Sequence, residues 1–253
     1  MPQLSDTVPF FARPPPQQAL EEGARLDGRG FEQFRTVFLN TGAISQATGS
    51  AYAEFSKTKV MAAVYGPRPS DRKTSFSEEG RLQCDVKFAT FATRQRSKSF
   101  AQSPDEREVS GNVQAALQSA VQRHSFPKSN VDVYCMVLES GGSDVAVAIT
   151  AASLALADAG IEMYDLVSAC SVSRVKGQLL LDPTSEESYH EDGTVLMAMM
   201  PTASLVTQLV MAGEWSDSQS KEAMELCMGG CAQIDSVARQ CLRQAAGAAT
   251  SVN

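Results

Sequence analysis

Glycines at 141 and 142, then Ser143 and Asp144, stand directly ahead of a long run of small apolar residues. In that run Val145, Ile149, Ala152, Leu156 and Ala159 recur at helical spacing, and Gly160 supplies a stop. A loop that opens a helix offers free backbone N–H groups and the positive end of the helix dipole, which suits a phosphate. Asp144 opposes that use. A carboxylate in the first turn answers the dipole itself, and it repels an incoming anion by roughly 4 kcal/mol at ~4 Å and an effective dielectric of about 20. Two readings stand side by side: an anion loop whose charge is reversed, and an ordinary helix start capped by Ser143.

Two further clusters have chemical potential. Asp182, Glu186, Glu187, Glu191 and Asp192 crowd one segment between two apolar runs. Carboxylates there suit a divalent cation, or simply a solvated surface. Lys87, Arg94, Arg96 and Lys98 form a basic run interleaved with Phe88, Phe91 and Phe100, with no acid between Lys87 and Phe100. Cations bind phosphates and aromatic rings stack on bases, so the run is a candidate RNA surface; the alternative is a solvated face. Arg25-Leu26-Asp27-Gly28-Arg29 adds two arginines in a polar turn.

The elements that must position these groups follow from periodicity. Residues 1–22, with Pro9 and Pro14 to Pro16, read as a flexible arm. Strands are expected over 36–39, 43–47, 49–55, 59–65 and 83–91, with Ser56-Lys57-Thr58 as a hairpin turn. Ser103-Pro104-Asp105-Glu106 is a capping box that starts a helix with Val109, Val113, Leu117 and Val121 on one face, ended by Pro127. A strand over 131–138 feeds the Gly loop. After the central helix come strands at 166–175, 178–181, 195–200 and 205–212. A last helix capped by Ser216 is weakened at Gly229-Gly230 and frays over 247–253. The expectation is one α+β domain over residues 23–246, mixed sheets with helices packed on them.

Composition bounds the rest. The 253 residues are 43% hydrophobic and carry a net charge of −7, which argues against a globally basic nucleic-acid binder but not against a local basic channel. No apolar run reaches the roughly 18 residues a membrane helix needs, and the acids and prolines near the N-terminus do not resemble a signal peptide. The six cysteines form no C-x-x-C pair and read as reduced core thiols. His124 and His190 are the only histidines, too few and too distant for a Cys/His metal site or a Ser-His-Asp site.

As a set, these pieces resemble the RNase PH family, the phosphorolytic 3′-to-5′ exoribonucleases and their relatives in the RNA exosome ring. Arg25-Leu26-Asp27-Gly28-Arg29 resembles the family's R-x-D-G-R opening. Gly49-Ser50-Ala51 with Lys57-Thr58-Lys59-Val60 and Tyr65-Gly66-Pro67 resembles its first hairpin. Leu181-Asp182 and Met200-Pro201 bracket the strand pair that carries its acidic site. The wording from Ala155 to Leu166 resembles the branch of eukaryotic ring subunits named for mRNA transport regulation. The resemblance implies an RNase PH-like fold of ribosomal S5 domain 2-like topology.

It also implies a degenerate site. Active members hold phosphate with a Gly-Thr-Arg loop, where this chain has Gly142-Ser143-Asp144, and carry an acidic D-x-x-x-x-E-D, where this chain has Asp182, Glu187 and Ser188. A register shift would bring Glu191 or Asp192 into the last place. The function implied is a non-catalytic exosome ring subunit without cofactor or bound metal. Its partners would be related ring chains, S1/KH-type cap proteins and RNA, in nucleus, nucleolus and cytoplasm, with no membrane. Arg94, Arg96, Lys98, Arg25 and Arg29 are the expected RNA contacts. The alternative is an active phosphate-dependent exoribonuclease with an altered site.

Overall fold

Small side chains at close to every position of one helix, flanked on both sides by alternating strands, dictate the architecture. A helix that is apolar all round must be buried all round. The computed structural model describes residues 25, 27–69, 78–94, 96 and 102–250. Five strands form the first sheet: β1 (Val37–Thr41), β2 (Gly49–Phe55), β3 (Thr58–Pro69), β4 (Arg81–Phe88) and β5 (Ser129–Glu139). Their order is β1-β2-β3-β5-β4, antiparallel except for the β4/β5 pair. The parallel pair needs a crossover, supplied by α1 (Pro104–Gln118). The second sheet has the order β7-β6-β8-β9 and is antiparallel throughout: β6 (Ser168–Val175), β7 (Gln178–Leu181), β8 (Gly193–Met200) and β9 (Leu205–Gly213).

Between the sheets lies α2 (Asp144–Asp158), with every residue from Ala146 to Leu156 buried. It packs on β2 and β3 on one side and β6 on the other. One hydrophobic cluster therefore runs through both sheets. A final helix, α4 (Asp217–Thr250), covers the second sheet and reaches β1. Alanines along α2 let the backbones approach closely. At Gly49 the approach is so near that an added Cβ would lie 2.2 Å from the Ala159 nitrogen and 2.6 Å from the Ala155 oxygen.

The capping box of α1 is present as expected, Ser103 Oγ accepting from Glu106 N and Glu106 Oε2 accepting from Ser103 N. The helix stops at Gln118, before a short 3₁₀ turn at Arg123–Ser125, not at Pro127. Residues 43–47 are not a strand. They are a turn closing the β1–β2 hairpin, in which Ser50 Oγ accepts from Ile44 N at 2.8 Å and competes with any ladder. The acidic segment holds a helical turn that was not foreseen, α3 (Ser185–Ser188). α4 runs unbroken through Gly229-Gly230 and on past Gly247 to Thr250, so the expected fraying from Gly247 is not seen over that span. Residues 1–24, including the expected flexible arm 1–22, and 251–253 lie outside the described residues.

Gly49→Ala drives a methyl into the α2 backbone, which cannot swing aside as a side chain can. Urea titration should show a loss of about 1–3 kcal/mol in unfolding free energy.

Candidate functional site

The strand-to-helix loop that ends β5 meets the β7–α3 junction at one end of the sandwich. Gly142 sits at φ +105 and Ser143 at φ 58, ψ 27, two left-handed residues in succession. This backbone turns the Gly141 and Gly142 carbonyls inward. Gly142 has no room for a side chain, since a Cβ would meet Pro183 O and Ser185 N at 2.5 and 2.6 Å. Ser143 is therefore not the helix cap its position suggested. Its hydroxyl donates to Pro183 O at 3.2 Å and accepts from Ser171 Oγ at 2.7 Å, while no side-chain bond caps α2.

Into this loop reaches Arg35, a residue the sequence reading passed over. Its guanidinium has five N–H groups, and the protein takes five hydrogen bonds from it. Nε and one Nη donate to Asp182 Oδ2 and Oδ1 at 2.8 and 2.7 Å. The others go to Thr58 Oγ1 at 3.0 Å, Gly141 O at 3.1 Å and Gly142 O at 2.9 Å. The two side chains are 3% and 2% exposed.

Arg25 repeats the pattern. It forks onto Glu187 at 2.9 and 2.7 Å and donates to the Leu181, Asp182 and Gln33 carbonyls. Both side chains are buried. The expected RNA contact at Arg25 is thus corrected: burial and pairing remove it from the surface of this chain. Arg29, half-buried, pairs with Asp27 at 2.5 Å and lies 3.9 Å from Asp182 Oδ2. Burial alone would raise the Asp27 carboxyl, yet Arg29 holds it below its ordinary value.

Glu187 has a second duty. Thr184 and Glu187 form a capping box on α3, with Thr184 N donating to Glu187 Oε2 at 2.8 Å. The T-S-E-E wording carried that signal. Ser188 is within α3 and its amide donates to Thr184 O. Glu191 and Asp192, the acids that a register shift would bring into the family pattern, have partners of their own. Glu191 accepts from Ser173 Oγ, and Asp192 accepts from Lys176 N at the β6–β7 turn.

Asp144 is the anion that the loop retains. Its Oδ2 accepts from Ser140 Oγ at 2.5 Å. Burial pushes the carboxyl above its ordinary value; the Ser140 hydroxyl, the nearby Arg35 charge and the Gly142 amide oppose that rise. A cleft of about 200 Å³ remains at this end, bounded by Asp27, Lys57, Glu186 and the edges of Arg35 and Glu187. Three of those side chains are acids and Lys57 is exposed at the mouth. Arg94 and Arg96 lie exposed on the segment after β4, remote in sequence from this cleft, and Lys98 lies outside the described residues.

The chain is similar to known proteins over most of its length. Models described as 3′ exoribonuclease family, domain 1 and domain 2, match residues 33–162 and 165–230. The chain is 47% identical over 225 residues to an exosome complex component RRP41-like of Arabidopsis thaliana, covering 89% of this chain and 86% of that protein. It is 37% identical over 254 residues to the exosome complex component MTR3 of Mus musculus, with 94% and 93% covered. Among solved structures, rice (Oryza sativa) Rrp46 superposes with a TM-score of 0.76 at 24% identity, over 85% of this chain and 98% of that one.

Two measurements check the site. Glu187→Gln leaves Arg25 buried without a charge partner and should cost about 3–5 kcal/mol in urea unfolding, with Arg25→Met/Glu187→Leu recovering much of it. For Asp144, the raised folded value means the native state binds the proton more tightly than the unfolded chain. Its contribution is present at low pH and lost as pH rises through that value. Asp144→Asn should therefore raise the melting temperature near pH 7 and give a smaller gain near pH 4.

Proposed function

The chain belongs to the RNase PH family of 3′ exoribonucleases, and on that premise we propose that it is a non-catalytic subunit of an exosome ring. One observation carries this reading. The arginine against the Gly loop has every N–H turned inward, and the loop's anion is its own Asp144. Phosphorolysis needs inorganic phosphate held in line with the scissile linkage by donors aimed at the developing charge. Where active relatives resemble one another in placing an arginine, this chain has an acid that repels phosphate.

The acids tell the same way. Asp182 and Glu187 are neutralised by buried arginines, and the following position of the family's acidic pattern is the hydroxyl of Ser188. No carboxylate of that pair is free to take a proton or a cation without breaking an ion pair in the interior. In our reading the site persists as architecture. It joins the N-terminal segment, the Gly loop and the second sheet, and the subunit serves through assembly.

The ring reading assigns related RNase PH-like chains as neighbours, S1/KH-type proteins as caps and RNA as the cargo of a central channel. Arg94, Arg96 and Lys98 are its channel contacts; Arg29 is a weaker one and Arg25 is none. Residence in nucleus, nucleolus and cytoplasm belongs to the same proposal. Sequence similarity supports membership in such a complex through both the RRP41-like and the MTR3 relatives.

The test is direct. Purified chain is incubated with oligoadenylate, phosphate and Mg²⁺, and nucleoside diphosphate is followed. Loss of one such donor typically costs about 10²- to 10³-fold, so release should fall at least that far below an active relative. Release within a hundredfold would instead favour an active exoribonuclease with an altered site.

A further inference from the structure

One recess lies away from the family site. It is a groove of about 650 Å³ between β4 and α1. β4 is the edge of the first sheet. Along it, the amides at odd positions face β5, as the Ala89 N–H bond to Val137 O continues to show. The amides and carbonyls at even positions therefore face away. Three of these outward amides are covered by the protein itself: Gly80 N donates to Arg123 O, Val86 N to Ser110 Oγ and Phe88 N to Glu106 Oε1, each at 2.9 Å. Leu82 and Cys84, between them, have no such partner among the described residues, and both line the groove.

The uncovered stretch is thus a defined gap in an otherwise protected edge. It presents N–H and C=O groups in alternation, a pattern that another peptide strand matches. Charge gives the gap a preference. Arg81 and Arg107 line it, both exposed and without an acidic partner among the described residues. Arg123 is taken by Glu79 at 2.9 Å, and the one acid of the lining, Asp85, accepts from Gln102 at 2.8 Å. Gly111 on α1 leaves space, since a Cβ there meets nothing within 4 Å.

We propose that the β4 edge takes an extended acidic peptide segment of a partner protein, added as a sixth strand over Leu82 to Cys84 with its carboxylates on Arg81 and Arg107. A nucleic-acid backbone fits less well. It answers the arginines and the amides, but its phosphates would abut the Leu82 and Cys84 carbonyls. This site is separate from the Gly loop, so it stands or falls independently of the ring reading.

The probe is a fluorescein-labelled octapeptide of alternating Glu and Val, titrated into the full chain and read by anisotropy. A Lys/Val octapeptide and oligouridylate serve as competitors. Saturable binding of the acidic peptide is expected, with slowed amide exchange in the segment spanning Leu82 and Cys84. Arg107→Glu, an exposed change, should weaken it at least about tenfold through charge reversal. Gly111→Phe, which fills the open space, should abolish it while the protein melts as before. Absence of saturable binding, equal affinity for the Lys/Val peptide, or displacement by oligouridylate with the same sensitivity to both variants would overturn the proposal.

Discussion

Two buried guanidinium groups govern this molecule. A charge removed from water costs several kcal/mol unless its hydrogen bonds and its counter-charge are supplied by the protein. Arg35 and Arg25 each find all five bonds inside, from Asp182 and Glu187, from the Thr58 hydroxyl, and from carbonyls of three separate segments. Those segments are the stretch before β1, the Gly loop that opens α2, and the β7–α3 junction. The ion pairs thus fix how the N-terminal strand block meets the second sheet, at one end of a core otherwise held by the small side chains of α2.

The same bonds decide what the site can do. A loop built from left-handed residues can present amides to an anion or carbonyls to a cation. Here the Gly141 and Gly142 carbonyls face a cation that belongs to the chain. The anion is internal too, as Asp144, held by Ser140. On the proposed reading, charges that a catalytic site would direct at substrate are directed at one another, and the charged side chains bordering the remaining cleft are three acids with Arg35 and Lys57.

Much of the fold was legible because it rests on local rules. The alternation in β2 and β3, the capping box before α1 and the apolar periodicity of α2 each declare themselves within a dozen residues. The failures share a cause, which is distance along the chain. Ser143 has a cap's identity, but its backbone is left-handed and its hydroxyl turns to Pro183 O and Ser171 Oγ, both distant along the chain. Arg35 sits in a plain stretch, Phe34-Arg35-Thr36, and nothing local announces a partner at Asp182. Arg25 looked like a surface cation for the same reason. The α3 turn is different, because Thr184 and Glu187 carried a readable capping box that the density of acids obscured.

The central claim is that the ancestral phosphate position is filled from within. Titration calorimetry of the purified chain with inorganic phosphate, against a chloride control of equal ionic strength, addresses it without reference to turnover. The account predicts no saturable heat at millimolar phosphate, and none gained by Lys57→Ala, the exposed cation at the cleft mouth. A saturable 1:1 isotherm that Arg35→Met abolishes would contradict it, since it would show that guanidinium reaching outward to phosphate after all.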